Sequence, residues 1–184
     1  MLSMEAQGEL LQIARTAIAE HLHGRQFTPV PQNLELREPG AAFVSVWKGG
    51  ELRGCIGSLK ATRPLAETVS AAAVSAAAAD PRFPPLRIDE MPHVSLEISL
   101  LSPLVRIHSP EEIEVGTHGL VVTSLSRKGV LLPQVALEWG WDRGEFLRQT
   151  FLKAHLPHDP SQSVSEIYTF TAEVIREGEH RPLP

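Results

Sequence analysis

Cysteine is almost absent from this sequence: Cys55 is the single one, so no disulfide can form within the chain. Clusters of basic residues are absent as well, and the formal net charge is -5, which argues against nucleic acid as a partner. The most apolar run, at residues 69–79, is mostly alanine and is too short to cross a bilayer. The N-terminal segment carries acidic residues and amphipathic spacing, unlike a signal peptide. We therefore expect a cytoplasmic protein with a reduced thiol, no nucleic-acid partner and no membrane association.

Motifs for metal and nucleotide binding are also missing. The chain has eight histidines, but none stands in an H-E-x-x-H or CxxC spacing that would place ligands around one metal ion. No GxGxxG, P-loop or G-x-S-x-G motif occurs. The sequence therefore predicts neither a metal site nor a cofactor, and it gives no support to nucleotide binding or serine hydrolysis.

The residues that are present predict one globular domain spanning 1–184. Hydrophobic residues make up 42% and charged residues 21%, the composition of a chain that buries a real core. Apolar residues recur at helical spacing from Glu5 to about His21, and the alanine-rich "LAETVSAAAVSAAAAD" predicts a helix packed closely against a sheet. The segments "HVSLEISLL" and "SEIYTFTAEVIRE" alternate between apolar and polar residues, and each predicts a strand. Because helices and strands mix without a βαβ repeat, we expect an α+β fold with a mainly antiparallel sheet and packed helices.

Two further segments predict β-hairpins. The segment "HGLVVTSLSRKGVLLPQ" should turn at Ser126–Gly129, and "AAFVSVWKGGELRGCIG" should turn at its two central glycines, a favoured two-residue turn. In the second of these, side chains alternate between the two faces of the hairpin. An unbroken register then places Arg53 and Cys55 on one face of the strand, and Leu52 and Ile56 on its other face.

Arg53 and Cys55 make the strand "LRGCIG" a candidate site. A cation beside a thiol favours the thiolate and lowers the thiol pKa, which is the condition for a nucleophile. Gly54 and Gly57 leave the strand bare, so that a substrate can approach it. In the alternative interpretation the cysteine is a small buried hydrophobe, Arg53 pairs with a carboxylate such as Glu97, and the glycines admit the alanine-rich helix. The spacing alone does not decide between the two.

Several segments of the chain carry a resemblance to a known family. "ELRGCIGSL", "DPRFPPL", "LEISLLSP", "THGLVV", "GVLLPQVALEWGWD" and "FLRQTFLKAHL" occur in this order and span nearly the whole chain. Each segment is weakly specific by itself, whereas the set is highly specific. Together they resemble the AMMECR domain family, also called AmmeMemoRadiSam system protein A. The matching positions are Leu52–Gly57, Asp80–Phe83, His118–Gly119, Pro133–Gln134, Glu138 and Gly140–Trp141.

The resemblance implies a fold and a set of partners. It implies a compact α+β fold in which two intertwined subdomains, of boundaries that the sequence leaves open, surround a cleft lined by the R-G-C-I-G strand. It also implies an association in genomes with a Memo-like protein and a radical SAM protein, which are the expected partners. The chain departs from the family pattern at Phe151, where a second cysteine is expected, and at His155, where a glycine is expected. A mechanism that needs a cysteine pair is therefore disfavoured.

Two functions follow as expectations. In the first, the protein is a binding subunit that holds a small molecule or a partner protein for the Memo-like and radical SAM proteins. Its binding residues are Arg53, Gly54, Gly57, Glu97 and Gln134. In the alternative, the protein is an enzyme with Cys55 as nucleophile, Arg53 as anion anchor and His118 as general base. His118 also fits the role of a hydrogen-bonded histidine at a strand end. We expect Cys55, Arg53 and His118 to converge on one concave site.

Overall fold

A computed structural model describes residues 1–124, 127–157 and 165–178. The helices are α1 (Met4–Leu22), α2 (Leu65–Ala78), α3 (Pro133–Glu138) and α4 (Arg143–Lys153). The strands are β1 (Ala41–Lys48), β2 (Glu51–Ser58), β3 (Val94–Leu101), β4 (Val105–Ile107), β5 (Gly119–Ser124), β6 (Arg127–Leu131), β7 (Glu166–Phe170) and β8 (Ala172–Arg176). The predicted α+β class with antiparallel pairing is confirmed. Within these ranges no helix is both long and apolar enough to span a membrane.

The chain divides into two compact units. Among the described residues, the first unit contains Met1–Leu101 and Glu173–Gly178, and the second contains Ser102–Ala172. Each unit has its own four-stranded sheet, in the order β2-β1-β3-β8 in the first and β4-β7-β5-β6 in the second. The segment "SEIYTFTAEVIRE", predicted as one strand, is therefore two strands of different sheets. The chain leaves one sheet and enters the other at Thr171, whose amide donates to Ser102 Oγ at 2.9 Å.

The core of the first unit lies between its sheet and the helices α1 and α2. Helix α1 begins after Ser3, whose side chain accepts a hydrogen bond from the amide of Ala6 and so satisfies an otherwise unpaired donor of the first turn. Its buried stripe has helical spacing, and α2 supplies small side chains that let the helix approach the strands closely. The largest fully buried side chains of this core are Leu10, Ile18, Leu36, Leu96, Ile98, Val44 and Val46.

The β1–β2 hairpin turns at its two central glycines, as predicted, and both of them have positive φ. Its register contains an irregularity that the sequence pattern does not reveal. Trp47 stands opposite Leu52, but Val46 stands opposite Gly54. Arg53 is therefore an extra residue in β2, which makes it part of a β-bulge.

The bulge changes which side chains share a face of the hairpin. Beyond it, Ser45 is opposite Cys55 and Val44 is opposite Ile56. Opposing residues of an antiparallel pair point to the same face, so Cys55 lies on the face of Leu52 and away from Ile56. The prediction that Cys55 and Leu52 lie on different faces of the strand is therefore wrong, because it assumed an unbroken register. The prediction that Arg53 and Cys55 share one face assumed the same unbroken register, and the bulge at Arg53 removes that basis.

The second unit buries aromatic side chains of α4 against its sheet, with Phe146 and Phe151 fully buried. Its β5–β6 hairpin pairs Ser124 with Arg127, while Leu125 and Ser126 lie outside the described residues. Gly129 belongs to β6 and not to the predicted turn. A Cβ at Gly129 would come within 2.4 Å of the Thr150 carbonyl oxygen, so the glycine is required by the close approach of α4.

Helix α4 ends in a Schellman motif. The amide of Leu156 donates to the carbonyl of Phe151, and the amide of His155 donates to that of Leu152. His155 has φ of 55°, which makes it the non-glycine residue with positive φ among the described residues. This is the position at which the family resemblance leads us to expect glycine, and the left-handed conformation gives the physical reason.

Replacing His155 with glycine is expected to stabilise the protein. Alanine at the same position keeps the Cβ that is strained at positive φ, so His155→Gly should be about 1 kcal/mol more stable than His155→Ala. Urea-induced unfolding of the two variants measures the difference. Equal stability of the glycine and alanine variants would show that the backbone strain at this position is negligible.

Candidate functional site

The backbone of Cys55 is held by the segment that follows α2. Strand β2 lies at the edge of its sheet, so the outer backbone groups of Cys55 need partners from outside the sheet. The amide of Cys55 donates to Asp80 Oδ2 at 2.8 Å, and Arg82 Nη2 donates to the carbonyl oxygen of Cys55 at 3.4 Å. Asp80 and Arg82 also form an ion pair at 2.7 Å. The Asp80–Arg82 pair thus supplies the hydrogen-bond acceptor and donor that a neighbouring strand would supply to the edge of β2.

The environment of Asp80 keeps its carboxylate charged. Hydrogen bonding from the Arg82 guanidinium holds the pKa of Asp80 well below its usual range, and the amides of Cys55 and Arg82 lower it further. Burial opposes this shift, since the Asp80 side chain is only 2% exposed. A carboxylate with so low a pKa is a weak base at neutral pH. Asp80 therefore positions β2 and is poorly suited to take a proton from the thiol.

The thiol of Cys55 lies beside a hydroxyl and a guanidinium. Ser45 Oγ donates to Cys55 Sγ at 3.3 Å from the neighbouring strand. The pKa of Arg82 is raised, mainly by its hydrogen bond to Asp80 and in part by Coulomb attraction to Asp80 and Cys55. Arg82 is thus electrostatically coupled to Cys55, a role that the sequence analysis gave to Arg53.

Arg53 is engaged elsewhere. Its guanidinium donates to both carboxylate oxygens of Glu90, and to the carbonyl oxygens of Pro84 at 2.7 Å and Pro85 at 3.3 Å. The pKa of Glu90 is lowered to about 2, first by the hydrogen bond from Lys48 and then by that from Arg53. The side chains of Arg53 and Glu90 are each 14% exposed. These contacts tie the bulge to the segment after α2, and they occupy the donors that an anionic ligand would need.

The two candidate glycines face the protein itself. A Cβ on Gly54 would lie 2.0 Å from the carbonyl oxygen of Ala76, in α2. A Cβ on Gly57 would lie 2.3 Å from the carbonyl oxygen of Ala42 and 2.4 Å from the ring of Phe43. Both contacts favour the alternative in which the glycines allow close packing. For Gly54 the packed element is α2, and for Gly57 it is β1.

Glu97 lies in a polar row across the sheet. It is opposite Ser45, which in turn is opposite Cys55, so the three side chains share one face of the sheet. Glu97 is 3% exposed and accepts a hydrogen bond from Arg176 Nε at 2.7 Å. The expected pairing of Arg53 with a carboxylate occurs, but with Glu90, since Arg176 takes Glu97.

A groove opens at the turn end of the β1–β2 hairpin. It has a volume of about 540 Å³, a size typical of small-molecule sites, and we call it the hairpin groove. The groove contains an ion pair between Arg15 and Glu177. The Arg15 side chain is held in place because it also donates to the carbonyl oxygens of Met91 and Val94. The groove is lined by Arg15, Trp47, Gly50, His93, Ser95 and Glu177. It offers an aromatic surface and polar groups to a small ligand.

His118 and Gln134 belong to the second unit, whereas Cys55, Arg53 and Glu97 belong to the first. Gln134 stands in the first turn of α3. The ring Nδ1 of His118 accepts a hydrogen bond from the amide of Glu114 at 3.1 Å. In the neutral ring the proton is then on Nε2, which makes that nitrogen a donor. The convergence of Cys55 and His118 on one site stays a prediction.

Comparisons with known proteins identify the family of this chain. A family model described as AMMECR1 matches residues 11–175. The chain belongs to this family. It is 41% identical over 188 residues to a protein of Methanothermobacter thermautotrophicus, covering 96% of each chain. It is 42% identical over 189 residues to protein MK0488 of Methanopyrus kandleri, covering 97% of this chain and 91% of the relative.

A solved structure supports the fold of this AMMECR1-family chain. The crystal structure of uncharacterized protein PH0010 from Pyrococcus horikoshii matches with a TM-score of 0.89 and 39% identity. The match covers 97% of this chain and 96% of that chain. The family resemblance inferred from the sequence motifs is confirmed.

Sequence reasoning missed the roles of three charged residues at the AMMECR1 site. Asp80, Arg82 and Glu90 surround β2 but were not among the predicted site residues. A signal for the first two was present in "DPRFPPL", where an aspartate and an arginine flank a proline directly after a helix. Nothing in the sequence marked Glu90 as the partner of Arg53. Within the described ranges, no three histidine, cysteine, aspartate or glutamate side chains gather so that they could hold a metal ion.

Proposed function

We propose that this AMMECR1-family protein is a binding subunit that works with Memo-like and radical SAM proteins. In this role it holds a substrate or a partner protein along the LRGCIG strand and the adjoining hairpin groove, and it does not itself transform the substrate. The observation that carries the proposal is the Asp80–Arg82 pair at the backbone of Cys55. The carboxylate that reaches Cys55 is fixed by two amides and a guanidinium, which suits the fixing of a strand and not proton transfer.

Further support comes from the other charged groups of the site. Arg53 is bonded to Glu90 and Glu97 to Arg176, so each already has a partner of opposite charge within the chain. Such paired groups give a rigid surface with fixed polarity, which favours recognition with little rearrangement. The hairpin groove, in the same unit, has the volume for a small ligand.

Co-purification tests the proposal. The chain should be co-expressed with the Memo-like and radical SAM proteins encoded in its own genome, once as wild type and once as Cys55→Ser. We expect both forms to retain the two partners in equal amounts, because binding by the surface does not need the thiol. Failure of the wild-type chain to retain either partner would contradict the proposal.

The second candidate is the cysteine-centred enzyme, with Arg82 in place of Arg53 as the activating cation. It is favoured by the Coulomb attraction between Arg82 and Cys55. Under the binding proposal, iodoacetamide should label Cys55 slowly at neutral pH, and Arg82→Gln should slow the labelling only slightly. Rapid labelling that is slowed at least tenfold in Arg82→Gln would instead support the nucleophile. Arg87→Gln, a change of the same charge on an exposed arginine paired with Asp89, is the control.

A further inference from the structure

A second, smaller crevice lies between the end of β2 and the middle of α2. Its volume is about 120 Å³, roughly that of four liquid waters. It is distinct from the hairpin groove, with which it shares no lining residue. It is lined by Ile56, Gly57, Ser58, Arg63, Thr68 and Ser75, together with two alanines of α2. The last residues of the LRGCIG motif thus form one wall of a polar crevice.

Strand pairing turns the backbone of Gly57 outwards at this point. In an antiparallel pair, residues alternate between those that exchange hydrogen bonds with the partner strand and those that do not. Cys55 is a residue that does not exchange hydrogen bonds with the partner strand, because its amide donates to Asp80 and not to β1. Gly57 lies two residues further on, opposite Phe43, so it does not exchange hydrogen bonds with β1 either. Its N–H points away from β1, off the sheet edge, and no side chain among the described residues accepts from it.

Arg63 brings a positive charge to the same crevice. It is exposed and makes no ion pair within the described part of the chain, in contrast to Arg53 and Arg82, which are paired. Ser75 adds a hydroxyl from α2. The crevice therefore combines an N–H, a guanidinium and a hydroxyl, which are all hydrogen-bond donors. Donors of this kind recognise the oxygens of an anion, with the guanidinium giving a bidentate contact.

We propose that this crevice binds a small oxyanion, the carboxylate or phosphate group of a ligand, between Gly57 N–H and the Arg63 guanidinium. The proposal rests on the proposed binding function and names the chemical group that the LRGCIG strand holds. The volume admits one such group with few further atoms, so the rest of a larger ligand would extend outside the crevice.

Titration with two anions, followed by amide nuclear magnetic resonance, tests this site directly. Inorganic phosphate and succinate are added separately to the full ¹⁵N-labelled chain at constant ionic strength, with sodium chloride as the reference. We expect a saturable shift of the Gly57 amide resonance with at least one of the two anions. Saturation by phosphate alone, by succinate alone or by both identifies the oxyanion as phosphate, carboxylate or either. Absence of a saturable shift with both anions overturns the proposal.

Variants separate the crevice from general charge effects. Arg63→Gln should weaken the anion affinity at least tenfold, Arg63→Lys should weaken it less, and Arg87→Gln should leave it unchanged. Equal weakening by Arg63→Gln and Arg87→Gln would show an adventitious ion only and would overturn the site. The partner co-purification is measured separately, so a chain that retains its partners but binds neither anion loses this proposal and keeps the proposed function.

Discussion

Gly54→Ala is expected to destabilise the protein by about 3 kcal/mol or to prevent folding, because the added methyl group overlaps backbone atoms that cannot rotate away. The new Cβ would lie 2.0 Å from the carbonyl oxygen of Ala76 and 3.0 Å from its carbonyl carbon. Relief requires α2 to shift as a whole, which also disturbs the buried alanines that pack against the sheet. Urea-induced unfolding, or the yield of folded protein, measures the effect.

The matched control for this variant is Gly8→Ala. Gly8 lies inside α1 and is exposed, and a Cβ there meets no atom within 4 Å. Alanine has a higher helix propensity than glycine, so Gly8→Ala should stabilise the protein by about 0.5–1 kcal/mol. If Gly54→Ala were as stable as wild type, then α2 would not pack against β2 as closely as the structure shows.

The second large effect expected is a loss of stability in acid caused by Glu90. Its pKa is lowered to about 2 in the folded protein, by hydrogen bonds from Lys48, Arg53 and the Arg87 amide. A lowered folded pKa means that the unfolded chain binds the proton more readily, so the contribution of Glu90 is present above its ordinary pKa and is lost as the pH falls. The free energy of unfolding should therefore decrease by about 1–3 kcal/mol between pH 5 and pH 2 through this group, the lower value allowing for solvent screening of the exposed Lys48 partner.

Glu90→Gln isolates that contribution. At pH 5 and above, the variant should be less stable than wild type by about 1–3 kcal/mol, and the gap should close as the pH approaches 2. Glu51→Gln is the control, because Glu51 is exposed on the same hairpin and makes no ion pair within the described residues. Chemical unfolding at several pH values measures both gaps. A gap for Glu90→Gln that did not change with pH would show that the ion pairs of Glu90 contribute no charge-dependent stability.

Much of the fold could be predicted because it depends on local patterns. The helical spacing that ends near Leu22 and the proline that follows Asp80 locate α1 and the end of α2 to within a few residues. The two glycines at the turn locate the β1–β2 hairpin, and alternation locates β3. Each of these signals is carried by residues close in sequence, where propensity and periodicity act directly.

The candidate site was predicted less well, because its geometry depends on contacts between residues far apart in sequence. The spacing of "LRGCIG" drew attention to the correct strand, yet it paired Cys55 with Arg53 instead of Arg82. Arg53, the extra residue of the bulge, places its guanidinium against Glu90, 37 residues away in the sequence. A pattern of period two carries no information about such a contact.

The sequence by itself determined the α+β class, the family, the principal helices and hairpins, and the strand that bears the single cysteine. Tertiary structure alone decided the bulge, the partition of the last predicted strand between two sheets at Thr171, and the choice of Arg82 as the cation near Cys55. The physical reason is that backbone propensity is a local property, whereas the partner of a charged side chain is set by which elements pack together. The ion pairs of Glu90 with Arg53 and of Glu97 with Arg176 join residues 37 and 79 positions apart in the sequence, which only the packing of the elements brings together.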